Sequence, residues 1–131
     1  MTKDELFKLH EETCAKCLNI MRAKNQDYSG GTESPFANFQ AGEILGISGE
    51  LGILLRSIDK FQRIRAFVET GKLAVKSESV DDAIEDIINY MILLKGLIKH
   101  KHSQEAGVAL EETIGSRPGF LKARDIDKIP V

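Results

Sequence analysis

Apolar residues recur along this chain at intervals of three and four, and no stretch alternates in the two-residue rhythm of a half-buried strand. Thr2-Lys3-Asp4-Glu5 matches a capping box, in which the threonine oxygen accepts a backbone N–H and the glutamate reaches back to the cap. It predicts a first helix to about Lys24, with Leu6, His10, Thr13, Cys17 and Met21 on one stripe. NQDYSGGTESPFANF, residues 25–39, has little periodicity and predicts a long ordered loop, a type that is usually functional inside a compact domain. A second helix is expected from Glu43 to Val68, where Leu54, Ile58, Phe61, Ile64 and Val68 recur at helical spacing and Gly71 supplies a stop. Ser77 or Ser79 can cap a third helix that ends in the basic run KHKH, residues 99–102, whose charges suit the negative end of the helix dipole. A shorter helix near residues 104–115 and a tail over 116–131 complete the chain. The pattern predicts an all-α protein: one domain over residues 1–131, a compact bundle of about four main helices with a long functional loop after the first.

The third helix departs from ordinary amphipathicity. In ESVDDAIEDIINYMILL, residues 78–94, acids and an asparagine interrupt a buried-looking run. With Asp82 at zero and about 100° per residue, Asp86 falls near +40°, Asn89 near −20° and Glu85 near −60°. Ala83, Ile84, Ile87, Tyr90, Met91, Leu94 and Ile98 cover the other side, yet Ile92, Leu93 and Leu97 stand in line with the acids. A helix that is apolar all round in its second half is buried there. The acidic stripe is therefore expected to open onto the rim of a cavity floored by Leu93 and Leu97. Capping and dipole, worth about 0.3–1 kcal/mol, account for Asp81 and Asp82 in the first turn after Ser79. They do not account for Asp86 or Asn89, and a buried carboxylate needs a cation or several donors. A solvated face and a metal or ligand site both stay open.

Composition narrows the function classes. The chain has 131 residues, 42% of them hydrophobic and 29% charged, which describes a globular domain and not a disordered one. A net charge of −2 predicts neither strong nucleic-acid binding nor attraction to a membrane surface. No apolar run reaches spanning length and MTKDELFKLH is too charged for a signal peptide, so a cytoplasmic protein is expected. Cys14 and Cys17 lack a second ligand pair or a preceding strand, and they read as two small apolar residues one turn apart.

A cluster of oxygens suits magnesium, or manganese in its place, which takes carboxylates and waters and helps to bind polyphosphate. The facing wall is expected in GEILGISGELGILLRSIDKFQRI, residues 42–64. Glu50 extends the stripe of Leu54, Ser57, Phe61 and Ile64, and Gly42, Gly46 and Gly49 line a neighbouring strip where a backbone or ligand can approach closely. Arg56, Asp59 and Arg63 read either as a solvated ion-pair row or, with Lys60, as phosphate ligands. Lys60 points toward the glycine strip and is the first choice among them.

These motifs resemble a phage-associated helical family, the nucleotide-modification-associated domain. Its Lys-Asn-x-Asp-Tyr, Phe-x-Asn-Phe, Arg-x-x-Asp-Lys-x-x-Arg and Glu-Ser-x-x-Asp-x-x-x-Asp-x-x-Asn-Tyr stand here as KNQDY (24–28), FANF (36–39), RSIDKFQR (56–63) and ESVDDAIEDIINY (78–90). The likeness covers residues 20–98. More distantly, the chain is similar to the all-α nucleoside triphosphate pyrophosphohydrolases, the MazG-like and dimeric dUTPase group. These hold magnesium between a Glu-Glu-x-x-Glu helix and a Glu-x-x-Asp helix and release pyrophosphate. The second motif has its counterpart around Glu78, Asp82 and Asp86. For the first, only Glu43 and Glu50 lie in the right region, without an acidic doublet.

On the hydrolase reading, Glu50, Asp82 and Asp86 would hold magnesium, and Glu78 or Glu85 would take the proton of an attacking water. Lys60, with Arg56 and Arg63, would neutralise the leaving phosphates. The 25–39 loop would cover the base, with Tyr28 or Phe39 stacking and Asn25 or Asn38 reading its edge, and Lys24, Asp27 and Asn89 beside them. Asp27 also fits a turn-forming role. The missing doublet keeps a second expectation in play, a nucleotide- or metabolite-binding protein that does not hydrolyse, and a helical interaction module is the third. A homodimer or homotetramer is expected from the likeness and from the Gly-rich and apolar helix faces. A phage origin would put the protein in the host cytoplasm.

Overall fold

The computed structural model describes residues 1–29, 33–72 and 79–111, and among them every regular element is helical. Helix α1 spans Lys3–Ser29 and opens on the expected capping box: the Thr2 N–H donates to Glu5 Oε2 at 2.6 Å and the Glu5 N–H to Thr2 Oγ1 at 3.2 Å. It runs past Lys24, so residues 25–29 are helical and the expected loop is shorter than its sequence suggested. No breaker occurs before Gly30 and Gly31, and a helix already formed propagates through NQDYS at little cost. The second part of that loop is ordered too, as a one-turn helix α2 (Ala37–Gln40) followed by a 3-10 turn (Ala41–Leu45).

Helix α3 covers Gly49–Thr70 and not Glu43 onward. Gly46, at φ 78°, ends the 3-10 turn in the left-handed region, and the Ser48 hydroxyl accepts the Leu51 N–H at 3.2 Å as the true N-cap. Gly71, at φ 72°, is the stop the sequence placed there. Helix α4 is one continuous rod over Val80–Glu111. It passes through KHKH without a break, so no separate helix begins near residue 104. Residues 112–131, which include the expected tail, lie outside the described residues.

Helices α3 and α4 pack antiparallel: Lys60 pairs with Asp86 while Glu50, ten residues earlier, pairs with Lys101. Helix α2 packs against α1 and α3 and reaches α4 through the Phe39 ring, edge-on to Tyr90, and the second half of α1 closes the other side of α4. The core is Phe39, Ile53, Tyr90, Leu93 and Leu97, with Phe36, Met21, Met91 and Leu94 against it. Fully buried Ile53 and Leu97 each contribute on the order of 1.5–3 kcal/mol. Close approach depends on Gly52, where a Cβ would stand 3.1 Å from the Phe39 carbonyl oxygen.

The face of α3 turned inward corrects the sequence reading. Gly49, Ile53 and Ser57 are buried, whereas Leu54, Ile58, Phe61 and Val68, expected in the core, are exposed. Small side chains on the inner strip let the α3 backbone come close to α2 and α4, and that contact won over the larger apolar stripe. On α4 the inward face is the one with Glu85, Asn89, Leu93 and Leu97, while Ile84 and Ile92 face outward.

Candidate functional site

Three helices meet at Asp86. Its carboxylate is only 15% exposed; Lys60 Nζ from α3 stands 2.8 Å from Oδ2, and Lys24 Nζ from α1 stands 3.4 Å from Oδ1. Lys60 is itself only 18% exposed, low for a residue type that is almost always solvated. Two ammonium groups on one carboxylate leave a surplus positive charge at the junction.

One residue back, Glu85 turns toward α1, where Lys16 Nζ meets its Oε1 at 2.9 Å. The contact stabilises the ammonium and raises the Lys16 pKa, first through the hydrogen bond to Glu85 and then through its charge. Asn89 lies one turn on and is fully buried; its amide donates to the Cys17 carbonyl at 3.0 Å. Cys17 packs its thiol against the Glu85 carbonyl, and burial pushes its pKa up. That thiol is a structural group. Among the described residues, Glu85 Oε2 and Asn89 Oδ1 are buried without a hydrogen-bond partner. A burial of two acceptors with no donor is costly, and it marks a place for a water, a cation or a ligand donor.

The other expected metal ligands are not brought to this junction. Asp82 is exposed and closes a capping box with Ser79: its N–H donates to Ser79 Oγ and its carboxylate accepts the Ser79 N–H, both at 3.1 Å. Those contacts with Ser79 lower the Asp82 pKa. Glu50 Oε1 lies 2.6 Å from Lys101 Nζ, with Glu43 on the same ammonium at 4.0 Å. Ten helical residues separate Glu50 from Lys60, about 15 Å along α3. Among the described residues no group of three or more His, Cys, Asp or Glu side chains is placed to hold a metal ion.

Magnesium does not need such a cage. It takes one or two carboxylates and completes its shell with waters and substrate phosphates. Asp86 is the one expected ligand at the junction that could supply such a carboxylate, although both its oxygens stand on lysine ammonium groups here; Glu50 and Asp82 do not join it.

Of the expected phosphate ligands, Lys60 is at the junction, while Arg56 lays its guanidinium over the Phe39 ring, 4.8 Å from the centroid. Arg63 is half-buried on the same side of α3. Phe39 belongs to the core, edge-on to Tyr90 at 6.2 Å, so packing and not base stacking occupies it. Asn38 is half-buried in α2 and Asn25 is exposed near the end of α1. Glu78 and the side chains of Asp27 and Tyr28 lie outside the described residues.

Two participants escaped the sequence reading. Lys16 shows no local signal, because its partner is 69 residues away. Lys101 read as terminal dipole charge and instead fixes Glu50. No described helix is long and apolar enough to cross a membrane.

Fold and site thus define an all-helical protein with a desolvated carboxylate bridged by lysines from two other helices. Comparison of the chain with models of protein families, with curated proteins and with solved structures gives no match.

Proposed function

We propose that this protein binds a nucleoside or deoxynucleoside triphosphate, with magnesium, at the α1–α3–α4 junction and cleaves it to monophosphate and pyrophosphate. The reading also places it in a phage or bacterial nucleotide-pool or modified-base pathway, acting as a homodimer or homotetramer. The observation that carries it is Lys24 and Lys60 converging on Asp86, with Lys60 and Asp86 mostly desolvated and Lys24 half-exposed. The Lys60 ammonium alone already balances the Asp86 charge. A second supplies charge that polyphosphate can use.

With ligand bound, Lys24 and Lys60 would neutralise phosphate oxygens, and Asp86 is the carboxylate that would hold magnesium. Magnesium, when bound, would neutralise the triphosphate and polarise its phosphorus. Lys16 holds Glu85 through Oε1, and the other oxygen, Oε2, without a partner among the described residues, would accept the proton of the attacking water. Lys60 then stabilises the charge on the leaving pyrophosphate.

The test is pyrophosphate release from a panel of nucleoside triphosphates with magnesium. Release that disappears in Asp86→Asn is expected; none from any triphosphate would rule out cleavage. A second reading, binding without turnover, draws support from Glu50, which is held on Lys101 about 15 Å from the junction instead of completing an ion site. A rise in melting temperature with nucleotide, without pyrophosphate release, selects it.

A further inference from the structure

Two buried side chains stand one turn apart on α4, on the side that meets α1. Glu85 is 7% exposed and Asn89 1%, and among the described residues Glu85 Oε2 and Asn89 Oδ1 have no hydrogen-bond partner. Their neighbours on α1 fix which oxygen is left over. Lys16 Nζ takes Glu85 Oε1 at 2.9 Å, and the Asn89 amide donates to the Cys17 carbonyl at 3.0 Å. Reversing that amide would set its oxygen against the carbonyl, acceptor on acceptor, so Oδ1 is turned away from it.

Side chains four residues apart on a helix have Cβ atoms about 5–6 Å apart. One water donating to both oxygens at about 2.8 Å needs them roughly 4.5 Å apart, which that spacing allows. A buried acceptor without a donor is costly, and a water brings two O–H groups for the two oxygens. A cation fits less well. Lys16, Lys24 and Lys60 already set three ammonium groups against the carboxylates of Glu85 and Asp86.

We propose that Glu85 Oε2 and Asn89 Oδ1 hold one water molecule and that this water is the nucleophile, with Asn89 its positioning residue, an assignment that rests on the cleavage reading above. On the helix Asn89 falls near −20°, between Glu85 near −60° and Asp86 near +40°. The water therefore lies beside the carboxylate around which the phosphates would gather. With both hydrogens given to the two acceptors, its lone pairs point outward and need no reorganisation before attack. The water oxygen bonds to the α-phosphorus, and the bond to the bridging oxygen breaks, its electron pair leaving on pyrophosphate. One water proton passes to Glu85 Oε2 and the other stays on the monophosphate.

Two measurements test it. A crystal structure of the ligand-free protein should show an ordered water within about 3.2 Å of both oxygens. A protein donor on either oxygen, or no water between them, overturns the assignment. In pyrophosphate release, Asn89→Ala should lower kcat about tenfold or more and leave KM within about twofold of the wild type. The variant should keep the wild-type thermal shift given by magnesium with a non-hydrolysable α,β-imido triphosphate, which a damaged fold would lose. If Asn89→Ala does not fold, Asn89→Ser takes its place with the same expectations. An unchanged kcat, or a raised KM alone, overturns the role of Asn89 while the cleavage reading stands. A wild type that releases no pyrophosphate from any triphosphate defeats the cleavage reading and this nucleophile together.

Discussion

Lys60 Nζ stands 2.8 Å from Asp86 Oδ2 across the α3–α4 seam, and both side chains are more than four-fifths removed from solvent. With Lys24 reaching the other oxygen from α1, a single carboxylate ties three helices together.

That arrangement is asymmetric in cost. Asp86→Asn leaves two ammonium groups facing each other and should destabilise the fold by about 1–3 kcal/mol, less than a fully buried pair because part of the site is wet. Lys60→Met should cost less, since Lys24 still neutralises Asp86. Urea denaturation of both variants checks the order; equal costs would mean that Lys24 contributes nothing.

Ligand binding should follow the same residues. Magnesium with the preferred triphosphate is expected to stabilise the wild type by about 2.7 kcal/mol at a hundredfold excess over Kd. The gain should vanish in Lys60→Met and in Asp86→Asn but survive in Glu50→Gln, whose carboxylate is held by Lys101. Thermal shifts of the three variants measure this. Loss of the gain in Glu50→Gln alone would move the site to the other end of the seam.

The start of α4 carries a pH signature. Ser79 lowers the Asp82 pKa below its ordinary value of 3.8, so the stabilisation is present above that value and is lost as pH falls through the folded one. Ser79→Ala should cost about 1 kcal/mol near neutral pH. Asp82→Ala, which keeps Ser79 and removes the carboxylate its backbone N–H holds, should show a deficit against the wild type that shrinks below pH 3.8 as Asp82 is protonated. Denaturant midpoints across acidic pH would reveal a deficit that stays constant, against this account.

Two glycines should respond in opposite directions to alanine. At Gly52 the new methyl would stand 3.1 Å from a backbone oxygen of Phe39, an overpacking that costs about 1–3 kcal/mol. At Gly107, inside α4, nothing among the described residues lies within 4 Å, and alanine should stabilise by up to about 1 kcal/mol through helix propensity. Melting temperatures of Gly52→Ala and Gly107→Ala that shift the same way would contradict this.

Much of the fold is local and was readable. The Thr2–Glu5 box, the Ser79 cap and the Gly71 stop depend on side chains within a few residues of one another, and each formed as its spacing required. The inward turn of Asp86 and Asn89 was also legible, because Leu93 and Leu97 share their side of the helix. Continuity was harder to read. Helix α1 outlasts Lys24 and α4 outlasts KHKH because polar residues without a breaker do not end a helix that packing has already nucleated.

Periodicity in the amino-acid order thus settled that the chain is helical and which residues share a stripe. Only three-dimensional packing decided which stripe of α3 faces inward, and it chose Gly49, Ile53 and Ser57 over the larger apolar residues. Packing also gave Glu50 to Lys101 and brought Lys24 and Lys60 to Asp86. The physical reason is range: a stripe is set by neighbours three and four residues apart, whereas a partner is set by how closely two backbones can approach, and that is a property of both surfaces at once.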